Sequence, residues 1–137
     1  MSAEGALLLD AGVWVASRDP DDRYQGPALE LTFDTTQTAA TLDLTMFEVA
    51  NAVVRRWNDP RAAARLCRSL ELRCKEHFVR VDAGLMEATA ELAVEHALTS
   101  YDAAYVAVAR RYDWQLVSTD VEDLVSKGLA ITPDVAV

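Results

Sequence analysis

Cysteine and histidine are scarce, with two of each in 137 residues. No Cys/His grouping has the spacing of a zinc site, and His77 and His96 lie far apart in the chain. Cys67 and Cys74 are seven residues apart, which on one helix separates their Cα atoms by roughly 10 Å, beyond the reach of a disulfide. A disulfide framework and a zinc-stapled fold are therefore excluded. Neither histidine is paired in the sequence with a nucleophile, so no Ser/His/Asp triad is expected, and both read as surface residues. No repeat, low-complexity stretch or long linker is present. The apolar run Ala6–Leu9 is too short for a signal peptide or a membrane span, and no basic residues precede it, so a cytoplasmic location is expected. The length predicts one domain, residues 1–137, long enough to bury a core without staples.

The formal net charge is −9, which argues against a simple nucleic-acid binder. The charge is unevenly spread. Residues 55–80 hold eight basic residues against three acids, a net +5, and the rest of the chain holds five against nineteen, a net −14. An acidic body with one basic segment suits an enzyme that holds metal ions and touches a phosphate backbone. Arg61, Arg65 and Arg68 share one face of a predicted helix opposite Ala63, Leu66, Cys67 and Leu70, the pattern of a solvated amphipathic helix.

Short apolar runs alternate with helical patterns. Strands are predicted at Ala6–Leu9, Ala39–Leu44, Phe78–Val81, Gln115–Ser118 and Leu129–Thr132. Helices are predicted at 12–16, about 22–31, 45–57, 60–74, 84–96, 101–112 and 121–127, the last stopped by Gly128. Asp19-Pro-Asp-Asp22 is a turn, and Pro60 opens a helix after Asn58-Asp59. Trp14, Trp57 and Trp114 read as core or interface anchors. The order implies an α/β fold, a parallel sheet flanked by helices on both faces. Strand-to-helix junctions of such a sheet gather at its carboxyl edge, where ligands bind.

Four acids lie near such junctions or at helix starts: Asp10, Glu48, Asp102 and Asp120. Each also has a purely structural reading. Asp10 and Asp120 suit helix N-caps, Thr45-x-x-Glu48 has the form of a capping box, and Asp102 suits the first turn of a helix. If all four face one cleft, their mutual repulsion calls for cations, and oxygen-only ligands suit Mg²⁺ or Mn²⁺. Such ions activate water and stabilise charge on a phosphoryl group.

Leu7-Leu-Leu-Asp10 with Trp14, Glu48-Val-Ala-Asn51, Tyr101-Asp-Ala-Ala-Tyr-Val-Ala-Val-Ala109 and Leu116-Val-Ser-Thr-Asp120 occur in an order that resembles the PIN domain, specifically VapC-type toxins. The resemblance runs nearly end to end. It implies a parallel α/β/α sandwich, an acidic pocket that binds Mg²⁺ or Mn²⁺, and hydrolysis of RNA as the toxin of a toxin–antitoxin pair. The implied partners are an RNA substrate and a cognate antitoxin; a homodimer is a separate expectation, and the sequence does not fix the oligomeric state. Carried over position by position, Asp10, Glu48, Asp102 and Asp120 are the catalytic and metal-binding acids. Asn51 either braces the site or lies on a half-exposed helix, and Thr119 either orients the site or simply ends a strand. Asp123 reads either as an extra acid of the site or, in preference, as a solvated helix position. One position departs from the family, which commonly has Ser, Asn or Asp two residues after the first aspartate. Gly12 stands there, so a polar side chain is missing beside Asp10, and Gly12→Ser is expected to raise turnover. A haloacid-dehalogenase-like phosphatase needs an aspartate at that same position and is excluded by Gly12. The remaining alternative is a weakened PIN domain that acts as a protein-binding module.

Overall fold

The computed structural model describes residues 5–34 and 36–137. Its four strands are β1 (Leu7–Leu9), β2 (Ala39–Leu42), β3 (Phe78–Val79) and β4 (Gln115–Val117). They form one parallel sheet in the order β3-β2-β1-β4. Between β1 and β2 lie α1 (Ala11–Ala16) and α2 (Gln25–Phe33). Between β2 and β3 lie α3 (Asp43–Trp57) and α4 (Pro60–Cys74), and between β3 and β4 lie α5 (Ala83–His96) and α6 (Ser100–Tyr112). A π-helical turn at Val121–Val125 and a short α7 (Pro133–Ala136) follow β4.

The strands read as unbroken apolar runs because both faces of the sheet are covered. Leu8, Ala40, Leu42, Val79 and Leu116 point into a core shared with Leu85, Leu92 and the buried face of α6. Leu9, Ala39 and Val117 point into a second core with Trp14, Val49, Val53, Leu66 and Leu70 from α1, α3 and α4. Helices thus cover both faces, as the alternation of patterns predicts.

Several predicted boundaries differ. The second strand stops at Leu42 because α3 begins at Asp43, whose carboxylate accepts from the Leu44 and Val81 backbone N–H groups. That earlier start places Thr45 inside the first turn, buried, so the capping box with Glu48 does not form. The predicted last strand shrinks to one bridge, Val117 with Ile131. The predicted final helix is a π-helical turn, although Gly128 takes the left-handed conformation a helix stop requires (φ +74°). The short α7 carries too few residues for a periodic signal.

On α4, Ala63, Leu66 and Leu70 are buried and Arg61, Arg65 and Arg68 are exposed, as the pattern predicts. Arg73 of the same segment is tied down instead: its guanidinium donates to the carbonyls of Leu31, Asp34 and Gln37. Cys67 and Cys74 share α4 as free thiols. Trp14 and Trp114 are buried, whereas Trp57 is 39% exposed. The histidines are half-buried rather than on the surface. His77 stands edge-on to Trp114 at 6.0 Å, and the His96 carbonyl accepts from Lys127 Nζ at 2.7 Å.

Candidate metal centre

The four acids come from four segments that the sheet topology brings to its carboxyl edge. Asp10 leaves the central strand β1, and its N–H extends the ladder to the Val117 carbonyl at 3.1 Å. Its carboxylate caps α1 by accepting from Val13 N–H at 3.2 Å, so the capping role and a place in the cleft coexist. Glu48 lies in the second turn of α3. Asp102 lies in the first turn of α6, whose N-cap is Thr99. Asp120 follows β4 and caps the π-helical turn by accepting from Asp123 N–H at 2.9 Å.

Carboxylate oxygens of Asp102, Asp120 and Asp123 all lie within 4.8 Å of one another. Asp123, for which the sequence favours a solvated helix position over an extra acid, therefore belongs to the acid cluster. The tight π-helical turn carries it back over Asp120. Asp10 and Glu48 adjoin this trio electrostatically: Glu48 raises both Asp10 and Asp102, and Asp102 raises Asp10.

Burial governs the protonation of the site. Asp10 is 8% exposed, and desolvation pushes its carboxyl up to about 7, with smaller contributions from Glu48 and Asp102. Hydrogen bonds from the Ser118 hydroxyl and Val13 N–H oppose the rise. Asp102 is pushed up to about 6 by partial burial, then by Asp120, Glu48 and Asp123, with Lys127 pulling the other way. Desolvation also raises Glu48, opposed by a hydrogen bond from Tyr105.

Two further residues organise the cleft without being legible in the sequence. Tyr105 is buried, and its hydroxyl donates to Glu48 Oε1 at 2.6 Å. With that proton committed, the Thr45 hydroxyl, 2.9 Å away, is the donor of its pair with Tyr105. The chain Thr45–Tyr105–Glu48 thus fixes one carboxylate oxygen. Ser118 is fully buried; its Oγ accepts from Asp120 N–H at 2.9 Å, and its hydroxyl lowers the pKa of the Asp10 carboxyl. One hydroxyl therefore couples the first and last acids. Asn51 is exposed on α3 one turn beyond Glu48.

The donor set fits a hard divalent cation. It consists of carboxylate oxygens, and the spacing within the Asp102–Asp120–Asp123 trio is compatible with ligands around one ion, whose metal–oxygen distances are about 2.0–2.6 Å for Mg²⁺ or Ca²⁺. A cation would also relieve the repulsion that raises Asp10 and Asp102.

A parallel sheet with helices on both faces and acids gathered at its carboxyl edge defines the class, and the chain belongs to the PIN-domain family, whose model matches residues 7–125. It is 31% identical over 121 residues to Ribonuclease VapC3 of Pyrobaculum aerophilum, covering 83% of this chain and 88% of that protein. Among solved structures it resembles Mycobacterium tuberculosis VapC20, described as a sarcin-ricin loop cleaving toxin. The TM-score is 0.71 at 23% identity, over 89% of this chain and 95% of the other. It also resembles a chain of a toxin–antitoxin complex from Klebsiella pneumoniae, with TM-score 0.67 and 18% identity over 93% and 97%. No described helix is long and apolar enough to cross a membrane.

Proposed function

We propose that the chain is a Mg²⁺- or Mn²⁺-dependent endoribonuclease acting as the toxin of a toxin–antitoxin pair. The observation that carries this reading is the convergence of Asp10, Glu48, Asp102 and Asp120 on one sheet edge, with burial and mutual repulsion raising two of them. The curated relative is named a ribonuclease, which directs the reading to RNA. In this reading Asp102 and Asp120, with Asp123 beside them, hold the cation, and Asp10 and Glu48 complete the catalytic set. When bound, the cation supplies Lewis acidity toward the phosphoryl group and lowers the pKa of water. Tyr105 and Ser118 keep Glu48 and Asp10 oriented, and the buried position of Asp10 limits competing water.

The partners follow from the same surface. An antitoxin segment with a basic side chain would pair with the carboxylates. A homodimer would use the apolar groove of about 270 Å³ lined by Leu44, Phe47, Val81, Met86 and Tyr101, where Phe47 is 77% and Tyr101 60% exposed. Expression of the chain alone is expected to arrest growth, co-expression with a small cognate protein to relieve it, and light scattering to give twice the chain mass. Harmless expression without any inhibitory partner would remove the toxin role, and absence of RNA cleavage as well would leave the protein-binding module.

Arg61, Arg65 and Arg68 are solvated and make no part of the acid cleft. Reversing all three to glutamate is expected to leave the cleavage rate and its salt dependence unchanged. A flatter salt dependence would instead place RNA phosphates along α4, because each lost contact removes released counterions.

A further inference from the structure

α5 ends at His96, and its last turn is closed by a left-handed Ala97 (φ 54°) whose N–H, with that of Leu98, returns to the Ala93 carbonyl. The His96 carbonyl stands at the negative end of the helix, where backbone acceptors lack intrahelical partners. It is taken by Lys127 from the far side of the sequence, whose Nζ donates to it at 2.7 Å. The two segments joined by this bond are the ones that bear the acid trio. The next helix after His96 is α6, which opens at the Thr99 cap and carries Asp102 in its first turn. Just before Lys127 comes the π-helical turn that holds Asp123 and is capped by Asp120. The charge of Lys127 also acts on Asp102, against those of Asp120, Glu48 and Asp123.

The apolar backs of these segments share one core: Leu124 is fully buried in it, and Leu98 and Leu129 pack against it. Their acidic fronts repel each other, because carboxylate oxygens of Asp102, Asp120 and Asp123 stand within 4.8 Å of one another. We propose that Lys127 is a positioning residue, a strap from the Asp120–Asp123 turn to the end of α5 that keeps the trio at ligand spacing before a cation arrives. The inference rests on the reading of the trio as the cation site of the ribonuclease. A site assembled in advance loses less of its binding free energy to ordering its ligands. Lys127 therefore acts in two opposite ways. Its charge repels an incoming cation, so losing the charge alone would tighten metal binding. Its hydrogen bond holds the ligands together, so losing the strap weakens metal binding. The lysine is exposed, and water and salt screen its charge, whereas a charge-assisted bond to a helix-end carbonyl is short and directional. The strap is the larger effect.

The test compares wild type with Lys127→Met, which keeps the aliphatic stem and loses donor and charge, and with Lys127→Arg, which keeps both. Mn²⁺ binding is measured by calorimetry, amide hydrogen exchange in chelator and in saturating Mn²⁺, and cleavage of a single-stranded RNA across a Mn²⁺ titration. Lys127→Met is expected to bind Mn²⁺ about tenfold more weakly, the lower end of what supporting groups around a metal site contribute, and Lys127→Arg to recover most of that loss. The amides of Leu98, Val125 and Ser126 close the ends of the two segments. In chelator they are expected to exchange about tenfold faster in Lys127→Met, and saturating Mn²⁺ removes the difference because the ion then joins the segments itself. At saturating Mn²⁺ kcat and KM stay within about twofold of wild type, so the defect is confined to the Mn²⁺ requirement. Lys127→Met that binds Mn²⁺ as tightly as wild type, or more tightly, would reveal a bare charge without a strap and overturn the proposal. A loss of kcat or a rise in KM that persists in saturating Mn²⁺ would overturn it by placing Lys127 on the RNA. Wild type that binds Mn²⁺ without cleaving RNA would remove the ribonuclease reading and leave the strap supported by binding and exchange. Wild type that binds no Mn²⁺ would remove both.

Discussion

Asp10→Asn is expected to reduce RNA cleavage by about a thousandfold or more, and at neutral pH in chelator to raise the melting temperature. The two effects have one cause. A carboxylate forced into a cleft with Glu48 and Asp102 is useful to a cation and costly without one. Asparagine retains an oxygen that can accept from Val13 N–H, so α1 keeps its cap. It removes the charge whose burial lifts the Asp10 carboxyl from 3.8 to about 7. That rise corresponds to at most ~4 kcal/mol of folding free energy lost once the group ionises. Asp102→Asn should behave the same way, with a smaller gain in stability because the residue is more accessible to solvent. Cleavage assays and melting curves on the two variants decide the matter. Full activity in either one, or in wild type with excess chelator, would remove the acid-cluster mechanism.

The second large effect is a reversal of pH dependence by metal. Asp10, Asp102 and Glu48 all have folded-state pKa values above their ordinary ones. An acid raised in this way contributes stability that is fully present below its unfolded value, near 4, and lost as pH rises through its folded value. In chelator the melting temperature is therefore expected to fall from about pH 4 upward, most steeply below about 6, where both Asp102 and Asp10 are ionised only in the unfolded chain, and to level off above about 7. With millimolar Mn²⁺ the trend should flatten or invert, because the cation binds only the ionised carboxylates and stabilises the fold by mass action. The double variant Asp10→Asn/Asp102→Asn should lose most of both responses. A wild-type melting temperature in chelator that rises from pH 5 to pH 8, and rises equally in the double variant, would contradict the linkage.

What the sequence discloses and what it hides divide along a physical line. Strand cores and helix faces are legible because burial on both sides of the sheet leaves a simple apolar pattern: Leu7–Leu9 and Gln115–Val117 are read almost residue for residue. The four acids are legible because three of them sit in the first turn of an element or at its cap, and local chemistry marks such positions. Asp123 is not, since only the π-helical turn folds it back onto Asp102 and Asp120, and no periodicity announces that turn. Tyr105 and Ser118 are hidden for another reason. Their roles depend on partners 57 and 108 positions away, so the signal is in the pairing and not in the neighbourhood. Gly12 is the case where a local reading is incomplete. It looks like an omission until Thr119, from the far end of the chain, is seen to fill the space.

The order of the strands has a consequence for the nascent chain. β4 is the last strand made, yet it lies against β1, the first, and Asp10 N–H closes onto the Val117 carbonyl. Two of the four acids, Asp102 and Asp120, are translated after the other two have been waiting for at least fifty residues. On the proposed role of these acids, a chain truncated anywhere before Asp120 is therefore expected to be inert. Hazard is created at one moment late in synthesis, when the first and last strands meet. In a selection for cells that survive this gene, premature stop codons should be recovered from all positions up to Asp120, with no active fragment among them.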